Sequence, residues 1–189
     1  MLVYQIEALI LASETPITLA KLRECLSLVE SPMEPAIDNL QLHACLHELE
    51  QHYAQRGIQL IQVAGGWQFR THPKYADVVT QLWQKNAPRL SRSMLETLAV
   101  IAYQQPTTRG EIEALRGIRV SSSVMSGLLE RGWVKIIGRK DVPGRPHIYG
   151  TSQQFLSDFG LKSLNDLPDS SQLVDLQDLS FNEKITEPT

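Results

Sequence analysis

The sequence lacks most of the features that announce chemistry or a special environment. It has two cysteines, Cys25 and Cys45, too few for a disulfide framework. Each lies in an apolar helical pattern, where a small buried thiol is the ordinary reading. No run approaches the roughly 18 apolar residues of a membrane helix. The short run Leu9-Ile10-Leu11-Ala12 has glutamates on both sides and no basic stretch before it, which argues against a signal peptide. The cytoplasm is therefore the expected compartment, with no membrane contact.

Catalytic patterns are equally scarce. Nothing reads as G-x-S-x-G around Ser121, Ser122 and Ser123, and Gly138 to Gly144 lacks the P-loop spacing. His43 and His47 are four apart, a rise that suits two ligands of one metal. Glu48 does not lie between them, however, and no third ligand is placed nearby. A solvent-facing pair on a helix is the expectation. No catalytic residue, cofactor or metal is expected, and the chain does not read as an enzyme.

What the sequence does contain is a repeat. With a shift of 90 residues, Leu11 falls on Ile101, Ala12 on Ala102, Pro16 on Pro106, Thr18 on Thr108 and Leu22 on Ile112. Each copy reads as an apolar helix, a proline turn, a threonine cap and a second helix. Thr108 with Glu111 forms a capping box, and Pro106 pushes Gln105 out of the α region to end the preceding helix. Thr18 is expected to cap likewise.

A third helix follows in each copy. In the first, Pro35 opens it, and Ile37, Leu40, Leu42, Leu46 and Leu49 are its expected buried side. In the second, Ser121 caps a helix to Arg131, with Val124, Leu128 and Leu129 inward and Gly132 beyond its end. Hairpins come next. The first turns at Gly65-Gly66. The second joins Trp133–Ile137 to His147–Gly150 through a longer basic loop. Ser91 or Ser93 is the expected cap of the second copy's first helix, and Thr151 with Gln154 starts a last helix. The fold class is mainly α with short β-hairpin wings, in two tandem winged-helix domains. The expected division is residues 1–86, residues 87–168 and an acidic tail, 169–189, read as disordered or ordering only on a partner.

Charge is uneven. Residues 1–87 hold 6 Lys/Arg against 9 Asp/Glu, residues 88–168 hold 11 against 7, and residues 169–189 hold 1 against 5. The basic middle is too weak for tight nonspecific DNA binding. Its cations concentrate in the second wing, where Arg139, Lys140 and Arg145 are candidate contacts to a partner surface or to phosphate. The competing reading is a solvated hairpin tip with Asp141 paired to a neighbour. The third helices are poor in base-reading groups: none lies between Ser122 and Glu130, while in the first copy Asn39 and Gln41 sit among acids. A tandem winged-helix DNA-binding transcriptional regulator is the alternative function.

Several segments closely resemble the bacterial segregation and condensation protein B family. They are IEALILASETPIT, RLSRSMLETLAVIAYQQPTTRGEIEALRG, LLERGWVKIIGRKDVPGRPHIYGTS and FLSDFGLKSLNDLP. The resemblance covers about residues 5 to 168, and Gly138 to Thr151 is its most specific stretch. Ser123-Val124, where relatives often carry an acid or glycine near the serine, is a departure. The resemblance implies a non-enzymatic adaptor in chromosome condensation and segregation. It implies a homodimer, formed mainly through the N-terminal domain, that binds the kleisin subunit ScpA with a major share from the C-terminal domain. Through the kleisin it would meet the SMC ATPase, and DNA mainly indirectly, in association with the nucleoid. A partner helix would need apolar anchors, for which Trp67, Trp83, Tyr103 and Trp133 are the candidates, each of which has core packing as its competing role.

Overall fold

Capping chemistry sets where the helices begin. The computed structural model describes residues 1–28, 37–83 and 90–169. The first unit contains α1 (Leu2–Ala12), α2 (Leu19–Ser27), α3 (Asn39–Tyr53), β1 (Ile58–Val63) and β2 (Gly66–Thr71). The Thr18 hydroxyl accepts from the Lys21 amide at 3.2 Å and so opens α2. Asp38 opens α3 with a full capping box: its carboxylate accepts from the Gln41 amide, and the Gln41 side chain returns to the Asp38 amide. The cap is thus Asp38, and the expected Pro35 lies outside the described residues.

The second unit repeats the order with α5 (Arg92–Gln104), β3 (Thr107–Thr108), α6 (Arg109–Arg116), α7 (Ser122–Glu130), β4 (Val134–Arg139) and β5 (His147–Thr151). α4 (Ala76–Trp83) lies between the units and α8 (Gln153–Phe159) follows the second. Ser91 caps α5 by accepting from Met94 N. Ser93, the other candidate, lies inside α5, and Glu96 three residues on is engaged by Arg92 and Arg116. Ser152, rather than Thr151, caps α8; Thr151 is the last residue of β5 and is buried.

Both units tie the hairpin to the segment after the first helix. Ile17 and Trp67 exchange two backbone hydrogen bonds, at 2.9 and 2.8 Å. In the second unit Thr107 stands opposite Tyr149 and Thr108 opposite Ile148, giving a sheet in the order β3-β5-β4. The β1–β2 reversal uses Ala64 and Gly65, since Val63 already pairs with Gly66. Gly66, at φ 126°, is the residue that needs glycine: a Cβ there would lie 2.2 Å from the Ile17 carbonyl oxygen.

Two apolar clusters form the cores. Ile6, Ile10, Leu22, Leu42, Leu46 and Trp67 are buried in one, and Ile101, Ile112, Val124, Met125, Leu128 and Tyr149 in the other. Fully burying one such aliphatic or aromatic side chain contributes roughly 1.5–3 kcal/mol. The repeat is real, but its register changes along the chain. Leu11 is 67% exposed whereas Ile101 is fully buried, so the 90-residue shift fails on the first helix. Ile10 is the residue that matches Ile101. The first copy carries one more residue before its proline turn, and the 90-residue shift holds from Pro16 through α2. Leu40 is also corrected: it is 78% exposed, on the outer side of α3.

The first wing also meets the second unit. The Ala64 amide donates to the Leu161 carbonyl at 2.9 Å, and Gln153 Nε2 donates to the Ala64 carbonyl at 2.9 Å. Arg70 Nη2 donates to the Ser157 carbonyl at 2.9 Å and also to that of Asp158, at the end of α8.

Candidate functional site

The second wing is a hydrogen-bonded hairpin with a basic, partly apolar surface. A β-bulge between Ile136 and Gly138 bends β4, leaving Ile136 and Ile137 both exposed. The loop closes through Lys140 N donating to Pro146 O and Arg145 N to Val142 O, each at 2.9 Å. Arg145 occupies a left-handed conformation at φ 38°, flanked by Gly144 and Pro146, so loop geometry fixes where its side chain leaves the backbone.

The three predicted cations are divided. Lys140 donates to Glu111 Oε1 on α6. The other oxygen of that carboxylate accepts from the Thr108 amide at 2.7 Å and the Thr108 hydroxyl at 2.8 Å. These donors, Lys140 first, hold the Glu111 carboxyl well below its ordinary value of 4.5, at about 2. Lys140 is therefore part of the scaffold. Arg139 and Arg145 are exposed and form no ion pair among the described residues, and neither does Asp141.

Behind the wing, Arg109 and Glu113 fasten α6 to the start of α7, an arrangement the sequence reading missed. Arg109 donates to Glu113 at 3.1 Å and to the Val120 carbonyl. Glu113 accepts from the Val120 amide at 3.0 Å, and that bond, followed by Arg109, lowers its pKa. The (i, i+4) spacing was the available signal. The exposed positions of α7 are Ser122, Ser123, Ser126 and Glu130, with its cap Ser121 also exposed. Base-reading side chains are absent from that face. On α3, Asn39 accepts from Arg23 and Gln41 is committed to the capping box.

The four predicted anchors do not form one stripe. Trp67 is 6% exposed and belongs to the first core. Trp83 ends α4, and its side chain lies outside the described residues. Tyr103 donates its hydroxyl to the Pro168 carbonyl at 2.7 Å, in a cleft lined also by Ala102, Gln105, Leu164 and Leu167. Trp133 donates Nε1 to Asp158 at 2.7 Å and meets Phe159 edge-on at 5.3 Å. Apolar exposure falls elsewhere: on Ile136 and Ile137 of the wing, Leu115 and Ile118 around the end of α6, and Leu40, Val78 and Leu82 in the first half.

Among the described residues, no three His, Cys, Asp or Glu side chains converge as a metal site would require. His47 instead shares a hydrogen bond with Gln51 at 2.9 Å. No helix among these residues is long and apolar enough to cross a membrane.

Comparison with known proteins gives matches over most of the chain. The family model described as segregation and condensation complex subunit ScpB matches residues 4–170. The segregation and condensation protein B homolog of Coxiella burnetii is 40% identical over 182 residues, covering 95% of this chain and 85% of that protein. Segregation and condensation protein B of Syntrophotalea carbinolica is 44% identical over 173 residues, covering 90% and 83% respectively. The crystal structure of ScpB from Mycobacterium tuberculosis is 32% identical, covers 85% of this chain and 95% of that one, and superposes with a TM-score of 0.37.

Proposed function

Because this chain belongs to the family of segregation and condensation complex subunits ScpB, we propose that it is a non-enzymatic adaptor of the SMC–kleisin complex. In this reading the unit within residues 1–86 carries the homodimer contact. The unit within residues 87–168 engages the kleisin ScpA, and the SMC ATPase and DNA are reached through that partner. The cytoplasm, in association with the nucleoid, is the proposed location.

The observation that carries the reading is the exposed side of α7. A winged-helix DNA reader presents Arg, Lys, Asn or Gln to base edges from this helix. Here that side is made of serines and a glutamate. The surface that remains, an apolar wing with two arginines at its end that form no ion pair among the described residues, suits an amphipathic protein segment with acidic groups at its rim. Exposed Val78 and Leu82 on α4, which follows the first wing within residues 1–86, supply apolar surface for that self-contact.

The test is co-purification with the kleisin encoded in the same genome, alongside duplex binding by the chain alone. A stable complex at micromolar concentration, with no sequence-selective binding to DNA, is the expected outcome. Absence of association with the kleisin, or nanomolar selection of one duplex, rejects the adaptor. Arg139→Glu with Arg145→Glu then locates the contact. Lys140 is left intact because Glu111 depends on it. Loss of kleisin affinity assigns the wing to protein docking, and loss of DNA retention alone assigns it to nucleic acid.

A further inference from the structure

We propose that two protomers join by exchange, with α4 of each lying across the outer face of α1 of its partner. The inference rests on the proposed homodimer and names the contact that forms it.

Two bare apolar stripes on one unit are the first observation. On α1 the exposed residues include Tyr4, Ala8 and Leu11, spaced i, i+4 and i+7 along one side of the helix. The small Ala8 between two larger side chains lets a second helix come close. On α4, Val78 and Leu82 are exposed one turn apart, and exposed Tyr75 precedes them at helical spacing. Within residues 76–82 none is buried, and only Val79 is half-buried. Among the described residues the one substantial contact of α4 is with the turn Pro73–Tyr75 that leads into it. An eight-residue helix is too short to hold itself in water. Its apolar side needs a surface to pack on.

The internal repeat identifies that surface. α4 follows the first wing as α8 follows the second, yet α8 buries Phe155 in the core of its own unit. The chain beyond α8 then covers one side of α5. Leu167 packs on the second core, and Leu164 and Pro168 line one cleft with Ala102 and Tyr103. Because Ile10 matches Ile101, Leu11 matches Ala102. Ala102 is 6% exposed and Leu11 is 67% exposed. The second unit thus supplies its own cover for this side of its first helix, and the first unit does not. It carries instead both halves of the missing contact, a bare α1 face and an unseated helix from the region that gives the second unit its cover.

Two protomers satisfy both halves at once. Each α4 meets the partner's α1, and a twofold axis closes the pair. A different protein would cover one stripe and leave the other bare. Tyr4, Leu11, Tyr75, Val78 and Leu82 are all exposed. At roughly 100 Å² for each side chain, the pair removes about 1,000 Å² from water, which reaches the size of a specific interface.

Sedimentation equilibrium of the full chain tests this with two variants. Tyr4→Glu with Leu11→Glu spoils the α1 face, and Val78→Lys with Leu82→Lys spoils α4. Each alone should raise the dimer dissociation constant about thirtyfold or more, because every contact in its homodimer joins a changed helix to an unchanged one. An equimolar mixture should recover dimer to within about tenfold of wild type. One contact is then native, and the other sets two glutamates against two lysines. A wild-type dimer that persists in either variant overturns the proposal and leaves the homodimer standing. So do two weakened variants whose mixture stays monomeric. A wild type that is monomeric at about 100 µM overturns the homodimer as well. Amide protection of Leu46, in the first core, checks that both variants fold. If either pair of changes fails that check, Leu11→Gln and Leu82→Gln replace them; each alone should weaken the dimer, and a dimer as tight as wild type in either overturns the proposal.

Discussion

Lys140, at the tip of the second wing, donates to the same carboxylate, Glu111, that closes the capping box of α6. One acid thus secures a helix start and the wing that stands over it. Its pKa lies at about 2 against an ordinary 4.5, caused first by Lys140 and then by the two Thr108 donors. A carboxyl depressed in the folded state stabilises the fold fully above its unfolded pKa and loses that contribution as pH falls through the folded value. The relevant window therefore runs from about pH 4.5 down to about 2. Melting temperatures of wild type and Glu111→Gln should differ most above pH 4.5 and converge toward pH 2. Parallel curves across that range would contradict the role given to Glu111.

Glycine substitutions separate constraint from convenience. Gly66→Ala places a Cβ 2.2 Å from the Ile17 carbonyl oxygen, at φ 126°. It should cost about 2–3 kcal/mol or more, because strain and the loss of the Ile17–Trp67 bridge act together. Gly110, inside α6, has nothing within 4 Å of a built Cβ. Gly110→Ala should stabilise by about 0.5–1 kcal/mol. Urea unfolding of the two variants measures both signs, and a tolerated Gly66→Ala would show that the bridge is dispensable.

The repeat explains a third expectation. Leu26 and Arg116 hold matching positions at the ends of α2 and α6, and both side chains are 4% exposed. Arg116 reaches Glu96 at 2.7 Å and the Thr97 hydroxyl at 2.9 Å, but its Nε has no partner among the described residues. A buried guanidinium has a desolvation cost that an apolar side chain of similar volume avoids. Arg116→Leu should change stability by less than about 1 kcal/mol, since leucine already fills the equivalent site and Glu96 keeps Arg92 and solvent. Thr97→Val, which leaves Arg116 buried with one acceptor fewer, should cost about 1–3 kcal/mol. Chemical denaturation in which Arg116→Leu proves the worse variant would show that the charge network is needed.

The local signals were legible where one side chain acts on nearby backbone. Thr18, Thr108 and Ser121 cap the helices they were expected to cap, because N-capping depends on contacts three residues away. Gln105, at ψ 143°, leaves the α region before Pro106 as expected. The errors lie where tertiary packing decides. Leu40 has a helical core spacing but faces outward, since Leu42, Leu46 and Leu49 already fill the inner side. Leu11 matched Ile101 by letter and not by burial, because a one-residue difference in the turn rotates the first helix by about 100°. Among the site residues, position along the chain identified the basic wing, yet nothing in it separated Lys140 from Arg139 and Arg145. That distinction needs the α6 carboxylate, 29 residues away, and only the folded chain brings it there.

The contact between the first wing and α8 supports a last prediction. Arg70 donates to two carbonyls at the end of α8, adding to the bond that the Gly160 amide gives Ser157 and supplying a donor to Asp158. The same wing turn donates from Ala64 to Leu161 and accepts from Gln153. The seat is tight: a Cβ on Gly65 would lie 2.9 Å from the Ser157 hydroxyl, and one on Gly160 would lie 2.7 Å from the Arg70 guanidinium. A charged hydrogen bond contributes about 1.5–3 kcal/mol, and 1.4 kcal/mol corresponds to about tenfold in an opening equilibrium. Arg70→Ala should therefore speed exchange of the Ala64 amide, which bonds across to the second unit, by about tenfold or more. The Ile61 amide, which faces Gln68 within the β1–β2 hairpin, should stay protected, because its partner lies inside the first unit. Equal acceleration at both amides would mean that Arg70 supports the hairpin itself, and no acceleration at Ala64 would mean that the wing stays seated without it.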